Sequence, residues 1–373
     1  MEKRTFRTIE IKDDAVVLLD QTLLPLEEKY IEAHTVEDIY DAIKRLAVRG
    51  ATAIGVAGGY GMWLAAKEIL EGSEMEKHLD TEELYVITMA LEDRADYLNS
   101  SRPTAVNLSY AIGIVMDAYN ALVDALSSDK EGIARQVVTP RDILETIFEA
   151  ADRIRIEDDD CCIKKGEYGL TLLKPGMRIL THCNAGGLAT TGFGGAFAPI
   201  YMGQEQGYNF KVYCDETRPL LQGARLSAWE LNKMGVDTTV ICDNMAATLI
   251  SKHMVDCVIV GCDRMAANGD GANKIGTLGL AVLCKEYGIP FYMNVPTSTF
   301  DMNTATGADI VIEERAPEEV SELWYEKRMV PEGVKVFNPA FDVTDHSMIT
   351  AIITEKGVIY PPYEESIRAL MEE

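Results

Sequence analysis

The chain has 373 residues, 47% of them hydrophobic, which is long enough for two domains around a sizeable core. Its formal charge of -25 at pH 7 excludes the broad basic face that nucleic-acid or anionic-membrane binding needs, so any phosphate site must rest on locally gathered Arg, Lys and backbone N–H groups. The opening MEKRTFRTIE has no apolar signal segment and no stretch approaches the roughly 20 apolar residues of a membrane span, which together predict a cytoplasmic protein.

Phe6 to Ile11 and Ala15 to Leu19 are β-prone runs flanking Lys12-Asp13-Asp14, a hairpin pattern that predicts a small sheet at the start. Thr35 with Asp38 resembles a capping box, and Val36, Ile39, Ile43 and Leu46 mark one helical face expected to end at Arg49-Gly50. VRGATAIGVAGGYGM then opens a second apolar helix whose small residues allow close backbone approach. Arg49 beside that new amino end reads either as a phosphate clamp or as a basic residue on a helix carboxyl end. Helical patterns follow at Glu82 to Asn99 and Thr104 to Leu126, with Arg102 held at a helix start, where an anion would offset its unfavourable dipole interaction. The polar stretch from Ser127 to Val138 before Thr139-Pro140-Arg141-Asp142 places the domain boundary, giving domains 1–138 and 139–373.

From Lys174 the pattern changes. Short β-like runs at Arg178 to His182, Lys211 to Asp215, Thr238 to Cys242, Cys257 to Gly261 and Phe291 to Val295 alternate with helix-compatible segments. That alternation predicts βαβ units and one parallel, Rossmann-like sheet behind a mostly helical amino-terminal domain. No GxGxxG follows the first strand, where THCNAGGLATTGFGGA stands instead, which argues against a nicotinamide cofactor. Eight cysteines without a CxxC pair and five His without HxH or HExxH spacing predict reduced thiols and no metal or other cofactor.

Ligands bind outside the carboxyl ends of parallel strands, so residues there are the first catalytic candidates. Cys183 follows the first strand and Asp263 the fourth. The loop Asn184 to Gly187 offers N–H groups for an oxyanion or for lowering a thiol pKa, and it equally suits a tight turn. In GCDRMAANGDGANKIGT a helix is expected from Lys274 towards Tyr287, putting Asn273 and Lys274 at its anion-favouring amino end. The alternative there is a solvated turn with a capping Asn.

VRGATAIG, SRPTAVNL, THCNAGGLAT, DETRPLLQGARL, GCDRMAANGDGANKIGT and VFNPAFDVTDHSMITAIITEKGV are long, ordered and separated. Together they resemble the methylthioribose-1-phosphate isomerases, over nearly the whole chain from Phe6 to Pro362. The same fold serves non-catalytic regulatory subunits of a translation initiation exchange factor. The resemblance implies an aldose–ketose isomerase of methionine salvage, a homodimer built through the carboxyl-terminal domain, with Asp263 as proton donor and Cys183 as its partner. It further implies Arg49, Gly50, Ala51, Arg102, Gln222, Asn273 and Lys274 as substrate and phosphate contacts. The chain departs from the family pattern at Thr52, where Pro is usual, at Gly187 for Ala, Gly271 for Thr and Leu278 for Tyr, and at Gly58-Gly59 in place of alanines. Those departures keep 5-deoxyribose 1-phosphate and ribose 1,5-bisphosphate open as alternative substrates.

Overall fold

A computed structural model describes residues 5–103, 105–127 and 137–372. The stretch 127–138 read as the boundary lies largely outside the described residues. Two compact units emerge, one formed by Phe6–Asp160 with Leu188–Gly192, the other mainly by Cys161–Gly187 with Phe193–Glu373.

In the amino-terminal unit β1 (Ile9–Lys12) and β2 (Ala15–Leu19) form the expected antiparallel hairpin, with Asp13 and Asp14 at φ 47 and 68 making the turn. A third strand, β3 (Tyr30–Ala33), pairs with β2. Helix α1 (Val36–Lys44) starts at the Thr35–Asp38 capping box. It stops short of Arg49-Gly50 because Leu46 turns left-handed at φ 65. Helix α2 (Ala51–Ile69) is buried from Ala53 to Ala66. Its glycines set its distance from a neighbour: a Cβ on Gly58 would lie 2.4 Å from Leu108 Cδ1, and one on Gly55 2.9 Å from Asn107 O. Those contacts belong to α4 (Val106–Ser127), which follows α3 (Thr81–Ser100). By length and composition Val106–Ala125 is apolar enough to cross a membrane, which corrects the expectation that no stretch approaches that length. Helix α5 (Pro140–Leu170) begins at Thr139, whose N–H and hydroxyl both reach Asp142. The core of this unit gathers Ile39, Ile43, Tyr60, Leu64, Leu91, Leu98 and Tyr119.

In the carboxyl-terminal unit the chain runs β4 (Arg178–Thr181), α6 (Ala198–Glu205), β5 (Lys211–Asp215), α7 (Ala228–Lys233), β6 (Asp237–Ile241), α8 (Ala246–Ser251) and β7 (Cys257–Val260). Then come β8 (Arg264–Ala266), β9 (Gly271–Lys274), α9 (Thr277–Tyr287), β10 (Phe291–Asn294), β11 (Phe300–Asp301) and α10 (Glu318–Ser321). The unit ends with β12 (Phe341–Thr344), β13 (Ala351–Thr354), β14 (Gly357–Ile359) and α11 (Tyr363–Glu372). The main sheet has the order β14-β13-β10-β7-β4-β5-β6. All five runs foreseen in the sequence lie in it and pair in parallel, and only β14 is antiparallel. Alternate side chains feed two cores, Leu180, Val258, Val260 and Met293 on one face, Ile179, Val212, Ile259 and Ile353 on the other.

A second sheet, β11-β8-β9-β12, was not foreseen. It overturns the helical reading at Lys274: Asn273 and Lys274 sit in β9, and α9 starts three residues later at Thr277. Pairing of Phe341 with Lys274 and Asp342 with Asn273 supplies ladder bonds from 67 and 69 residues away in sequence, which no local periodicity can announce.

Candidate active site

Cys183 leaves β4 and Asp263 stands just beyond β7. Those strands are parallel neighbours, so the two reactive residues emerge at the same edge of the sheet. Cys183 is half-buried in a left-handed conformation, φ 62. Its N–H donates to Thr217 Oγ1 at 2.8 Å and its carbonyl accepts from Ser227 Oγ at 2.6 Å. The N–H of Cys183 itself, which precedes the Asn184–Gly187 loop, is therefore committed. Behind it, Asn184 Nδ2 donates to Ser227 Oγ and to Glu230 Oε1. Glu230 is fully buried on α7, accepts from Tyr201 OH at 2.8 Å, and leaves no room at Gly186, where a Cβ would fall 2.1 Å from Oε1.

The DETRPLLQGARL loop follows β5. Thr217 and Leu221 are left-handed as well, at φ 64 and 57. The carboxylate of Asp243 holds the loop, accepting from the N–H groups of Thr217 and Arg218 at 2.7 Å each. Three non-glycine residues in that conformation within one neighbourhood mark stored strain, which surrounding bonds must over-determine. Gln222 is 8% exposed and its Oε1 has no partner among the described residues, which leaves a buried acceptor unsatisfied. The following Gly223 is obligatory, since a Cβ there would lie 1.7 Å from Asp215 O.

Asp263 is exposed and its N–H donates to Ala272 O at 2.9 Å, which fixes it beside β9. Asn273 donates to Thr277 Oγ1 and is 5% exposed. Lys274 is 6% exposed, with Nζ 2.8 Å from Ala340 O and 4.4 Å above the Phe341 ring. The departure at Gly271 is a packing exchange: a Cβ would meet Met293 Sδ at 2.7 Å and Cys262 Sγ at 3.4 Å, so sulfur side chains fill the volume. Burial pushes the Cys262 thiol well above its usual pKa, with the charge of Asp263 adding to the shift, so it is a packing residue.

The other candidates lie in the amino-terminal unit. Gly50 caps α2 at φ 96 with no side-chain cap, and a Cβ would lie 2.5 Å from Ala189 Cα. Ala51 is the first residue of the helix, and Arg49 is half-buried before it. Thr52 donates to Ala189 O at 3.1 Å, so the departure there replaces one way of fixing the helix start with another. Arg102 lies in the turn between α3 and α4, four residues before the helix it was expected to start.

The sequence points to the stretch from Asp215 to Leu231 as a strand end with reactive groups without singling out Asp215, Thr217 or Glu230 in it, and His182 was missed. A His and an acid closing adjacent apolar strands was the available signal. His182, Asp215 and Asp243 bring ligand atoms within 4.8 Å, as do Asp270, Asp345 and His346. Most of these atoms already serve one another, backbone N–H groups or, for His182 Nε2, the Ile275 carbonyl, whereas Asp215 Oδ1 is buried without a partner among the described residues.

Residues 47–361 match the model of the initiation factor 2 subunit family. The methylthioribose-1-phosphate isomerase of Symbiobacterium thermophilum is 54% identical over 357 residues, covering 95% of this chain and 93% of the relative. The 5-deoxyribose 1-phosphate isomerase of Petrotoga mobilis is 49% identical over 357 residues, 96% of each chain. Among solved structures, 5-methylthioribose 1-phosphate isomerase from Pyrococcus horikoshii OT3 superposes with a TM-score of 0.85 at 41% identity, covering 98% of this chain and 96% of that one.

Proposed function

The chain belongs to the initiation factor 2 subunit family, and on that premise we propose that it is an aldose–ketose isomerase converting 5-methylthioribose 1-phosphate to 5-methylthioribulose 1-phosphate in methionine salvage. The observation that carries the reading is 54% identity across 95% of the chain to a relative of that name, with both Cys183 and Asp263 in place.

The phosphate on the anomeric oxygen blocks ring opening by loss of a hydroxyl proton. Asp263 therefore donates a proton to the ring oxygen as the bond from that oxygen to C1 breaks. Hydrogen then passes from C2 to C1, and the C2 hydroxyl becomes the ketone by losing its proton, a transfer that Cys183 assists. One proton enters and one leaves, so the product is an isomer and no external oxidant is needed. Arg49, Gly50, Ala51, Arg102, Gln222, Asn273 and Lys274 hold the sugar phosphate, with the guanidinium and ammonium groups facing its charge. We assign no metal and no cofactor to the reaction, which should survive chelators, and place the protein in the cytoplasm as a homodimer, checked by sedimentation of dilute protein.

The 49% identity to a 5-deoxyribose 1-phosphate isomerase favours a second substrate that differs only in lacking the methylthio group. Turnover of methylthioribose 1-phosphate, 5-deoxyribose 1-phosphate and ribose 1,5-bisphosphate by purified protein tests both. The expected outcome is the highest kcat/KM on the methylthio sugar. Tight phosphosugar binding with no turnover of any of the three would replace the isomerase by a regulatory subunit.

A further inference from the structure

We propose that His182 is a positioning residue of the isomerase site, tying the Cys183 turn to the strand end that carries Asn273 and Lys274. The inference rests on the isomerase reading above and concerns a group that reading does not use. His182 is 1% exposed and precedes Cys183 directly in the chain. Its Nε2 lies 2.7 Å from Ile275 O, the carbonyl immediately after Lys274. Its Nδ1 lies 2.9 Å from Asp215 Oδ2 at the end of the adjacent strand.

A carbonyl only accepts, so Nε2 must carry hydrogen, and a single proton lies between Nδ1 and the Asp215 carboxylate. Burial drives the imidazole pKa down, but the bond to Asp215 and its charge outweigh that and raise it. Burial also raises the pKa of Asp215, so both directions say that the dyad holds its proton firmly. Asp243 and Asp342 are the further acids acting on the ring. The ring is wedged as well as bonded. Gly276 takes φ 108, and a Cβ there would sit 2.7 Å from His182 Cε1, while its N–H and that of Leu278 donate to Asp342.

The Asp215 arm reaches the same turn by a second route. Thr217 Oγ1 accepts from Cys183 N–H and donates to Asp215 O, so the backbone of Asp215 supports the left-handed turn at Cys183. One imidazole thus joins two parts of the site, the Cys183 turn through Asp215 and the Asn273–Lys274 strand through Ile275.

The two ring nitrogens predict opposite kinetic signatures. His182→Asn keeps an amide near the Nδ1 position and loses the Ile275 anchor. It should raise KM, and the dissociation constant for inorganic phosphate, about fivefold, the value of one net hydrogen bond, with kcat nearly unchanged. His182→Gln reaches towards Ile275 and loses Asp215, and should lower kcat about tenfold or more while KM holds, because misplaced reacting groups cost up to about a hundredfold. Asp215→Ala removes the same arm without touching the ring, so it must repeat the kcat loss if either His182 variant fails to fold. Circular dichroism and thermal melting establish which variants are folded. Folded variants that share one pattern, or an Asp215→Ala protein with wild-type kcat, would overturn the proposal. Phosphate titration needs no turnover, so a wild-type protein inactive on every sugar phosphate would sink the isomerase reading and leave the Ile275 arm still decided by calorimetry.

Discussion

The left-handed backbone of Cys183 is held by bonds from its own N–H and C=O, to Thr217 and Ser227, and neither involves the thiol. Cys183→Ser should therefore fold and melt like the wild type while kcat falls about 10²-fold or more, since a hydroxyl loses its proton far less readily than a thiol. Lys274→Ala should behave differently. In the proposed reaction its ammonium faces phosphate in ground and transition states alike, so KM should rise more than kcat falls, and steady-state kinetics on both variants separates the two roles. Cys183 and Asp263 were legible as candidates because a strand end followed by a glycine-rich loop is a local pattern. Gln222 was legible only through family resemblance, since its buried, unpartnered oxygen depends on an irregular loop after left-handed Leu221. His182 was passed over because its importance lies in Ile275, 93 residues away.

At the level of elements, local signals served where local physics decides. The Thr35–Asp38 capping box formed as read, and the five β-like runs became parallel strands. They failed at β9, where Ala272, Asn273 and Lys274 look like the approach to a helix until Val343, Asp342 and Phe341 pair with them. The turn before β9 is fixed by Asp270, which accepts from the N–H groups of His346 and Gly307 at 2.9 and 3.0 Å and from Asn268 Nδ2 at 2.8 Å. Burial alone would raise its pKa, but these donors outweigh it and hold the carboxyl below its ordinary value. Its stabilisation is thus fully present above the unfolded pKa of about 3.9 and lost as pH falls through the lower folded value. The melting-temperature gap between wild type and Asp270→Asn should accordingly shrink below about pH 4. A companion test concerns Gly271. Gly271→Thr should destabilise the protein by about 1–3 kcal/mol through overpacking against Met293, and in urea denaturation Met293→Ala should cost less in the Gly271→Thr background than in the wild type.

Across the whole molecule, a helical amino-terminal part with a small sheet and a parallel-sheet carboxyl-terminal part were readable from the change of period near Lys174. The division itself was less so: α5 runs unbroken through the residues where the compact units part, and Leu188–Gly192 belongs with the amino-terminal unit although its neighbours on both sides do not. A helix that bridges two units and a loop that crosses between them leave no break in composition for a sequence to reveal. In the proposed reaction an exposed acid beside β9, Asp263, performs the proton donation for a sugar 1-phosphate. The most direct test is kcat of Asp263→Asn on the sugar phosphate that the wild type turns over, with substrate binding followed by calorimetry. The account predicts near-normal binding and a loss of at least about 10²-fold in kcat, because an amide of the same size supplies no proton at a useful rate. An Asp263→Asn protein that keeps more than about a tenth of wild-type kcat would contradict it.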